Sequence, residues 1–167
     1  MILKNKLITI IVVTYNVKYK LPVLFNSIAL QKTDEIELVL IDGNSTDGTK
    51  EIINDYSSII DYHLSEKDDG IYDAMNKGII NSNGKWLFFI GADDILVESA
   101  IENALSIIKN TNKDIIIGNY YENANGTLKL IEQKPFNFKY QLLKGCINHQ
   151  SVFIKKSIFE TFGFRYT

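Results

Sequence analysis

The sequence predicts an α/β domain built on a mostly parallel sheet, and three observations predict it. Short, mostly apolar and β-branched runs, Leu7–Val13, Ile36–Ile41 and Trp86–Ile90, have the character of strands buried on both faces. Segments with apolar residues at helical spacing lie between them, joined by short connections, as in right-handed β-α-β crossovers. Each run also stops abruptly in polar or acidic residues, and in a parallel sheet all such ends share one edge. Ligands collect at that edge in open α/β sheets.

Taken in order, LITIIVV (7–13) reads as the first strand and ends in Thr14, Tyr15 and Asn16. Leu21, Leu24, Phe25 and Ile28 mark an amphipathic helix. IELVLI (36–41) is a second strand ending in Asp42, followed by the turn GNSTDGT and a helix marked by Ile52, Ile53 and Tyr56. A short strand near 61–64 leads into SEKDDG, and Ile71, Met75 and Ile79 define the next helix, stopped near Asn83-Gly84. The fourth strand, WLFFI, runs into Gly91, Ala92, Asp93 and Asp94. Beyond it the sequence predicts a covering helix over 97–108 and a strand over 114–118. A hairpin around Asn125-Gly126 follows, then an aromatic patch at Phe136, Phe138 and Tyr140 and a strand over 146–155.

Bulk properties narrow the function. The 167 residues suit one domain, and 46% hydrophobic with 23% charged residues is ordinary for a soluble globular protein. A formal charge of −2 offers no field for a nucleic acid partner. The lone Cys146 excludes an internal disulfide and a cysteine zinc site, which suits a cytoplasmic setting. No apolar stretch approaches the ~20 residues that span a bilayer.

Adjacent acids at a strand end repel each other unless a cation joins them, so Asp93 and Asp94 are candidate ligands for a divalent metal. The plainer alternative is a solvated Asp-Asp turn that caps the following helix. GxGxxG after the first strand, GxxxxGK[ST] and a nucleophile elbow are all missing, which disfavours dinucleotide, P-loop and serine-nucleophile chemistry. Hard oxygen ligands without a phosphate-cradling loop suggest that Mn2+ or Mg2+ would meet the phosphates of a nucleoside-diphosphate donor.

Five stretches then carry a resemblance: VVTYN (12–16), IDGNSTDGT (41–49), SEKDDGIYDAMNKG (65–78), GADD (91–94) and HQSVF (149–153). In that order they resemble the family 2 inverting, nucleotide-sugar-dependent glycosyltransferases, in particular bacterial enzymes that build cell-surface polysaccharides. The resemblance implies a three-layer α/β/α, Rossmann-like GT-A nucleotide-diphospho-sugar transferase fold. It implies a single domain over 1–167, with 1–95 as the nucleotide-sugar-binding half and 96–167 as the start of the acceptor-side half.

It also implies roles. Thr14, Tyr15 and Asn16 would line the nucleobase side, Asp42 would accept a hydrogen bond from a uracil-type base, and Asp68 would sit over base and ribose. Glu66 would join the donor site, with pairing to a nearby lysine as its alternative. Asp93 would bind ribose or share the metal, Asp94 would coordinate it, and His149 and Gln150 would face the diphosphate or the acceptor. The implied reaction is hexosyl or N-acetylhexosaminyl transfer from a UDP-type donor to a glycan or lipid-linked acceptor. Peripheral association with the inner face of the cell membrane and homodimerisation are compatible with it.

The sequence departs from the usual pattern at three points. Gly43 stands where many members carry a second acid, Gly91 where many carry an acid two positions before the Asp pair, and Met75 where many carry arginine. The family's catalytic base is expected beyond Thr167. The competing readings are a nucleotide-sugar-binding module without a base, and a phosphotransfer enzyme with an aspartyl nucleophile.

Overall fold

The computed structural model describes residues 6–133 and 149–162. The elements run β1 (Ile8–Thr14), α1 (Leu21–Ala29), β2 (Ile36–Asp42), α2 (Thr49–Asp55), a 3-10 turn (Ser57–Ile59), β3 (Tyr62–Ser65), α3 (Ile71–Ile80) and β4 (Trp86–Gly91). They continue with α4 (Ala100–Asn110), β5 (Ile115–Ile117), β6 (Tyr120–Ala124), β7 (Thr127–Ile131), a 3-10 turn (His149–Ser151), β8 (Val152–Lys155) and α5 (Lys156–Phe162). Cys146 and the aromatic patch at Phe136, Phe138 and Tyr140 lie outside the described residues.

Six strands form one sheet in the order β3-β2-β1-β4-β8-β5. The first four are parallel, as the strand-helix alternation predicts. β8 runs antiparallel to both β4 and β5 and wedges between them, a reversal that no local pattern announces. The strand expected over 146–155 is therefore shorter, starting at Val152 after the turn that holds Gln150. The expected hairpin forms as β6–β7, with left-handed Asn125 (φ 52°) and Gly126 (φ 84°) at its tip.

Residues on a strand alternate between faces, and here both faces are covered. On one, Ile8, Ile10, Val12, Leu38, Leu40, Phe88 and Ile90 pack with Leu24, Phe25 and Ile28 of α1 and Ile101 and Leu105 of α4. On the other, Ile11, Val39, Ile41, Leu87 and Phe89 meet Ala74, Met75 and Ile79 of α3 and Phe159 of α5. This is why the strand sequences show no polar alternation. Each such side chain taken fully out of water contributes about 2 kcal/mol.

One carboxylate interrupts the second face. Glu37 is buried, and accepts hydrogen bonds from the Thr9 hydroxyl (2.5 Å), the Asn83 N–H (2.7 Å) and the Asn83 side-chain amide (2.7 Å). It closes the α3–β4 turn beneath the sheet, at the end away from the acidic rim. Glu37→Leu leaves three donors without that acceptor, so a loss of about 3 kcal/mol is expected in urea unfolding, and less for Gln, which keeps one acceptor oxygen.

Candidate functional site

The carboxyl ends of the parallel strands line up in register. Thr14 lies beside Asp42, Asp42 beside Ser65, and Val13 beside Gly91. Asp42 is at the centre and fully buried. Its carboxylate accepts hydrogen bonds from the hydroxyls of Thr14 (3.0 Å), Ser45 (2.5 Å) and Ser65 (2.7 Å) and from the Ser45 N–H (3.0 Å). Burial pushes its pKa up, but the Ser45, Ser65 and Thr14 donors together outweigh burial and hold it below the ordinary aspartate value. The sequence reading gave Asp42 to the base; in this structure its described hydrogen bonds tie together the ends of β1, β2 and β3.

Asn16 is turned inward as well. In a left-handed conformation (φ 53°), its N–H donates to Ser45 Oγ (2.8 Å) and its side-chain oxygen accepts from the Thr46 N–H (3.0 Å). Val17 N–H to Thr49 Oγ1 (2.9 Å) and Lys18 N–H to Asp47 Oδ2 (3.1 Å) extend this seam. The β1–α1 and β2–α2 loops are thereby fastened to each other. Both of Asn16's described polar contacts go to the neighbouring loop, whereas the sequence reading gave it to substrate.

Above this seam lies a cavity of about 420 Å³ lined by Thr14, Tyr15, Gly43, Asp68, Gly70 and Ile71. Tyr15 is 66% exposed and offers its ring to it. Gly43 explains the missing second acid: a Cβ there would fall 2.6 Å from Asp68 Oδ2 and 3.3 Å from Tyr15 Cδ2. Asp68 leans over the rim because position 43 has no side chain. Glu66 faces Lys77 instead (2.8 Å), the alternative that its sequence context left open.

The acidic pair occupies the end of β4. Asp94 Oδ2 accepts from the Gly91 N–H (2.9 Å) and from the Gln150 side-chain amide. Helix α4 begins only at Ala100, so the two acids do not cap it. Asp93 projects outward and pairs with Lys20 (3.1 Å), both side chains being 60% exposed. A Cβ at Gly91 would meet Asp94 Oδ2 at 2.7 Å, Gln150 Nε2 at 3.0 Å and Asp93 Oδ1 at 3.2 Å. Both acids and Gln150 thus converge on a cradle that any side chain at 91 would fill.

That cradle fits a divalent cation bound by two hard carboxylate oxygens. Among the described residues no group of three or more His, Cys, Asp or Glu could hold a metal alone. Two carboxylates at a strand end are donors of the kind that a hard divalent cation takes together with phosphate and water. The backbone of His149 opens the turn that carries Gln150. A wider cavity of about 680 Å³ begins at Asp93, Asp94 and Gln150 and continues along Val97, Ile107 and Tyr120.

Residues 9–164 match the model of the family described as Glycosyl transferase family 2. The chain belongs to glycosyl transferase family 2. Within that family it is 35% identical over 160 residues to a PGL/p-HBAD biosynthesis glycosyltransferase of Mycobacterium tuberculosis, covering 93% of this chain and 61% of that protein. It is 29% identical over 162 residues to the poly(ribitol-phosphate) beta-N-acetylglucosaminyltransferase TarP of Staphylococcus aureus, covering 94% and 49%. The S. aureus TarS 1-349 structure in complex with UDP-GlcNAc aligns with a TM-score of 0.79 at 19% identity, over 96% of this chain and 48% of that one. Mannosyltransferase PcManGT of Pyrobaculum calidifontis, in complex with GDP-Man and Mn2+, aligns with a TM-score of 0.66 at 18% identity, over 93% and 46%. The fold of this family 2 domain is the GT-A fold with a mostly parallel central sheet. The domain spans about three fifths or less of the length of these relatives. No described helix is long and apolar enough to cross a membrane.

Proposed function

We propose that the domain binds the donor of an inverting glycosyltransferase, which moves a sugar from a nucleoside-diphosphate sugar, a UDP-sugar first, to a glycan or lipid-linked acceptor. One observation carries this reading. The Tyr15–Asp68 cavity and the Gly91 cradle open from neighbouring strand ends of a single rim, Val13 of β1 lying beside Gly91 of β4. A base and a diphosphate are separated in the same sense.

In this reading the Tyr15 ring stacks on the base, and Asp68 accepts a hydrogen bond from base or ribose. Asp94, held by Gly91 and Gln150, would be the principal ligand of a divalent metal and the exposed Asp93 the second. Mn2+ or Mg2+ held there would supply positive charge to offset that gathering on the leaving diphosphate. The acceptor oxygen bonds to the anomeric carbon as the carbon–diphosphate bond breaks on the opposite face and the nucleoside diphosphate leaves with the electron pair. The acceptor's proton passes to a carboxylate base. Residues 1–95 form the donor half and 96–167 begin the acceptor side, where a lipid-linked acceptor would bring the enzyme to the inner face of the membrane.

Titration with UDP and with GDP by calorimetry, each with and without Mn2+, tests the reading. Metal-strengthened binding of UDP over GDP is expected. A preference for GDP would change the donor, and failure of both nucleotides to bind would overturn the proposal.

A further inference from the structure

Lys77 has no place in the donor chemistry above, yet its ammonium meets three acceptors beside the rim. Its ammonium lies 2.8 Å from Glu66 Oε1, 2.9 Å from Asp73 Oδ2 and 3.4 Å from the Lys67 carbonyl oxygen, and its side chain is only 21% exposed. Glu66 and Lys67 stand in the β3–α3 loop immediately before Asp68, while Lys77 and Asp73 stand one turn apart on α3. The same Asp73 oxygen accepts the Asp69 N–H (3.2 Å), and Asp68 Oδ1 accepts the Gly70 N–H (3.1 Å). Glu66, Lys67 and Asp69 therefore each contact this group, and Asp68 lies between the last two of them in the chain, with Gly70 tied to it. Gly70, at φ 109°, ends the loop in a conformation that side-chain-bearing residues rarely adopt.

We propose that Lys77 is a positioning residue for the nucleotide cavity: it fastens the β3–α3 loop to α3 so that Asp68 stands over Gly43 and Tyr15. This rests on the donor-site reading, and it deepens that reading. The loop forms one wall of the cavity, which Lys67, Asp68 and Gly70 line. Without the ammonium, Glu66 and Asp73 would face each other with no cation between them, and their repulsion would lift the loop off the helix. The two carboxylates raise the Lys77 pKa, Glu66 contributing most and Asp73 next, so the clamp stays charged across the range in which the protein is handled. Pre-organisation of this kind acts on ligand affinity and leaves the metal cradle at Gly91 alone.

The test compares UDP binding by calorimetry, with and without Mn2+, in the unmodified chain, Lys77→Met and Lys77→Arg, each checked for folding by circular dichroism. Lys77→Met is expected to weaken UDP about fivefold to tenfold with and without metal, so that the ratio between the two affinities is unchanged. Lys77→Arg, which reaches both carboxylates, should recover most of the loss. Should Lys77→Met fold poorly, Asp73→Asn removes one arm of the clamp from the exposed helix surface and should weaken UDP in the same sense by a smaller factor. Unaltered UDP affinity in folded Lys77→Met, or a loss confined to the Mn2+-dependent part, would overturn the proposal. Failure of the unmodified chain to bind UDP at all would instead overturn the donor-site reading beneath it.

Discussion

Replacing Asp94 with asparagine is expected to remove the Mn2+-dependent part of UDP binding, weakening affinity in the presence of metal by about 100-fold. The substitution keeps the side-chain shape and one oxygen for the Gly91 N–H, so the fold should survive with little change in its unfolding midpoint. It removes the charge from the more firmly held of the two acids. The remaining carboxylate, Asp93, is 60% exposed and secured by an ion pair with Lys20, which in water contributes only about 0–1 kcal/mol. Such a flexible, water-facing group cannot hold the cation in place by itself. Binding of UDP without metal should be unaltered, because the Tyr15–Asp68 cavity has its own walls. The measurement is calorimetric titration at matched protein stability, and an unchanged Mn2+ effect in Asp94→Asn would remove the metal from the cradle.

Asp42→Asn should strike at the stability of the rim itself. Four donors converge on this one buried carboxylate, and an asparagine would offer one oxygen and set its own NH2 against hydroxyl and N–H groups. A loss of about 3 kcal/mol is expected, a lowering of the melting temperature by roughly 6–12 °C. The pH dependence gives a second check. The folded pKa of Asp42 lies below its unfolded value, so the carboxylate's contribution is complete above the ordinary aspartate range, about pH 3.9, and is lost as pH falls through the lower folded value. The stability gap between the unmodified chain and Asp42→Asn should therefore be constant near neutrality and narrow below about pH 4. A gap independent of pH would show that Asp42 is not the charged hub of the rim.

The fold was legible in the sequence where both faces of a strand are buried. LITIIVV, IELVLI and WLFFI are apolar on both faces apart from Thr9 and Glu37 because helices cover both sides, and their abrupt polar ends mark the rim without any structural knowledge. The direction and place of β8 were not legible. VFIK has the same β-branched and aromatic character whichever way it runs, and its partners β4 and β5 are decided by long-range packing such as the Phe88–Phe153 stack (ring centroids 4.4 Å).

Within the site, residue type identified the acids but not their aim. Asp42 and Asn16 have the chemistry to bind a ligand and spend it on neighbouring loops, because a rim assembled from four chain segments must first satisfy its own backbone. Serines 45 and 65 and Lys77 were passed over for the converse reason. Each is common on surfaces, and only the folded chain brings it to a carboxylate. Glu37 carried a visible signal, an acid in an otherwise apolar strand, whose meaning depends on the turn at Asn83.

The placement of β8 between β4 and β5 also sets an order of events during synthesis on the ribosome. The four parallel strands can assemble once about the first ninety residues have emerged, but β5 has no partner in the sheet until β8 arrives from near residue 152. In the interval the outer edge of β4 has its hydrogen-bonding groups unpaired and Phe88 without its stacking partner, and such open apolar edges invite pairing with other nascent chains. Gln150 comes with the same late strand, so Asp94 gains its second donor only as that edge is sealed. The same late segment thus seals the open edge of β4 and brings Gln150 to Asp94.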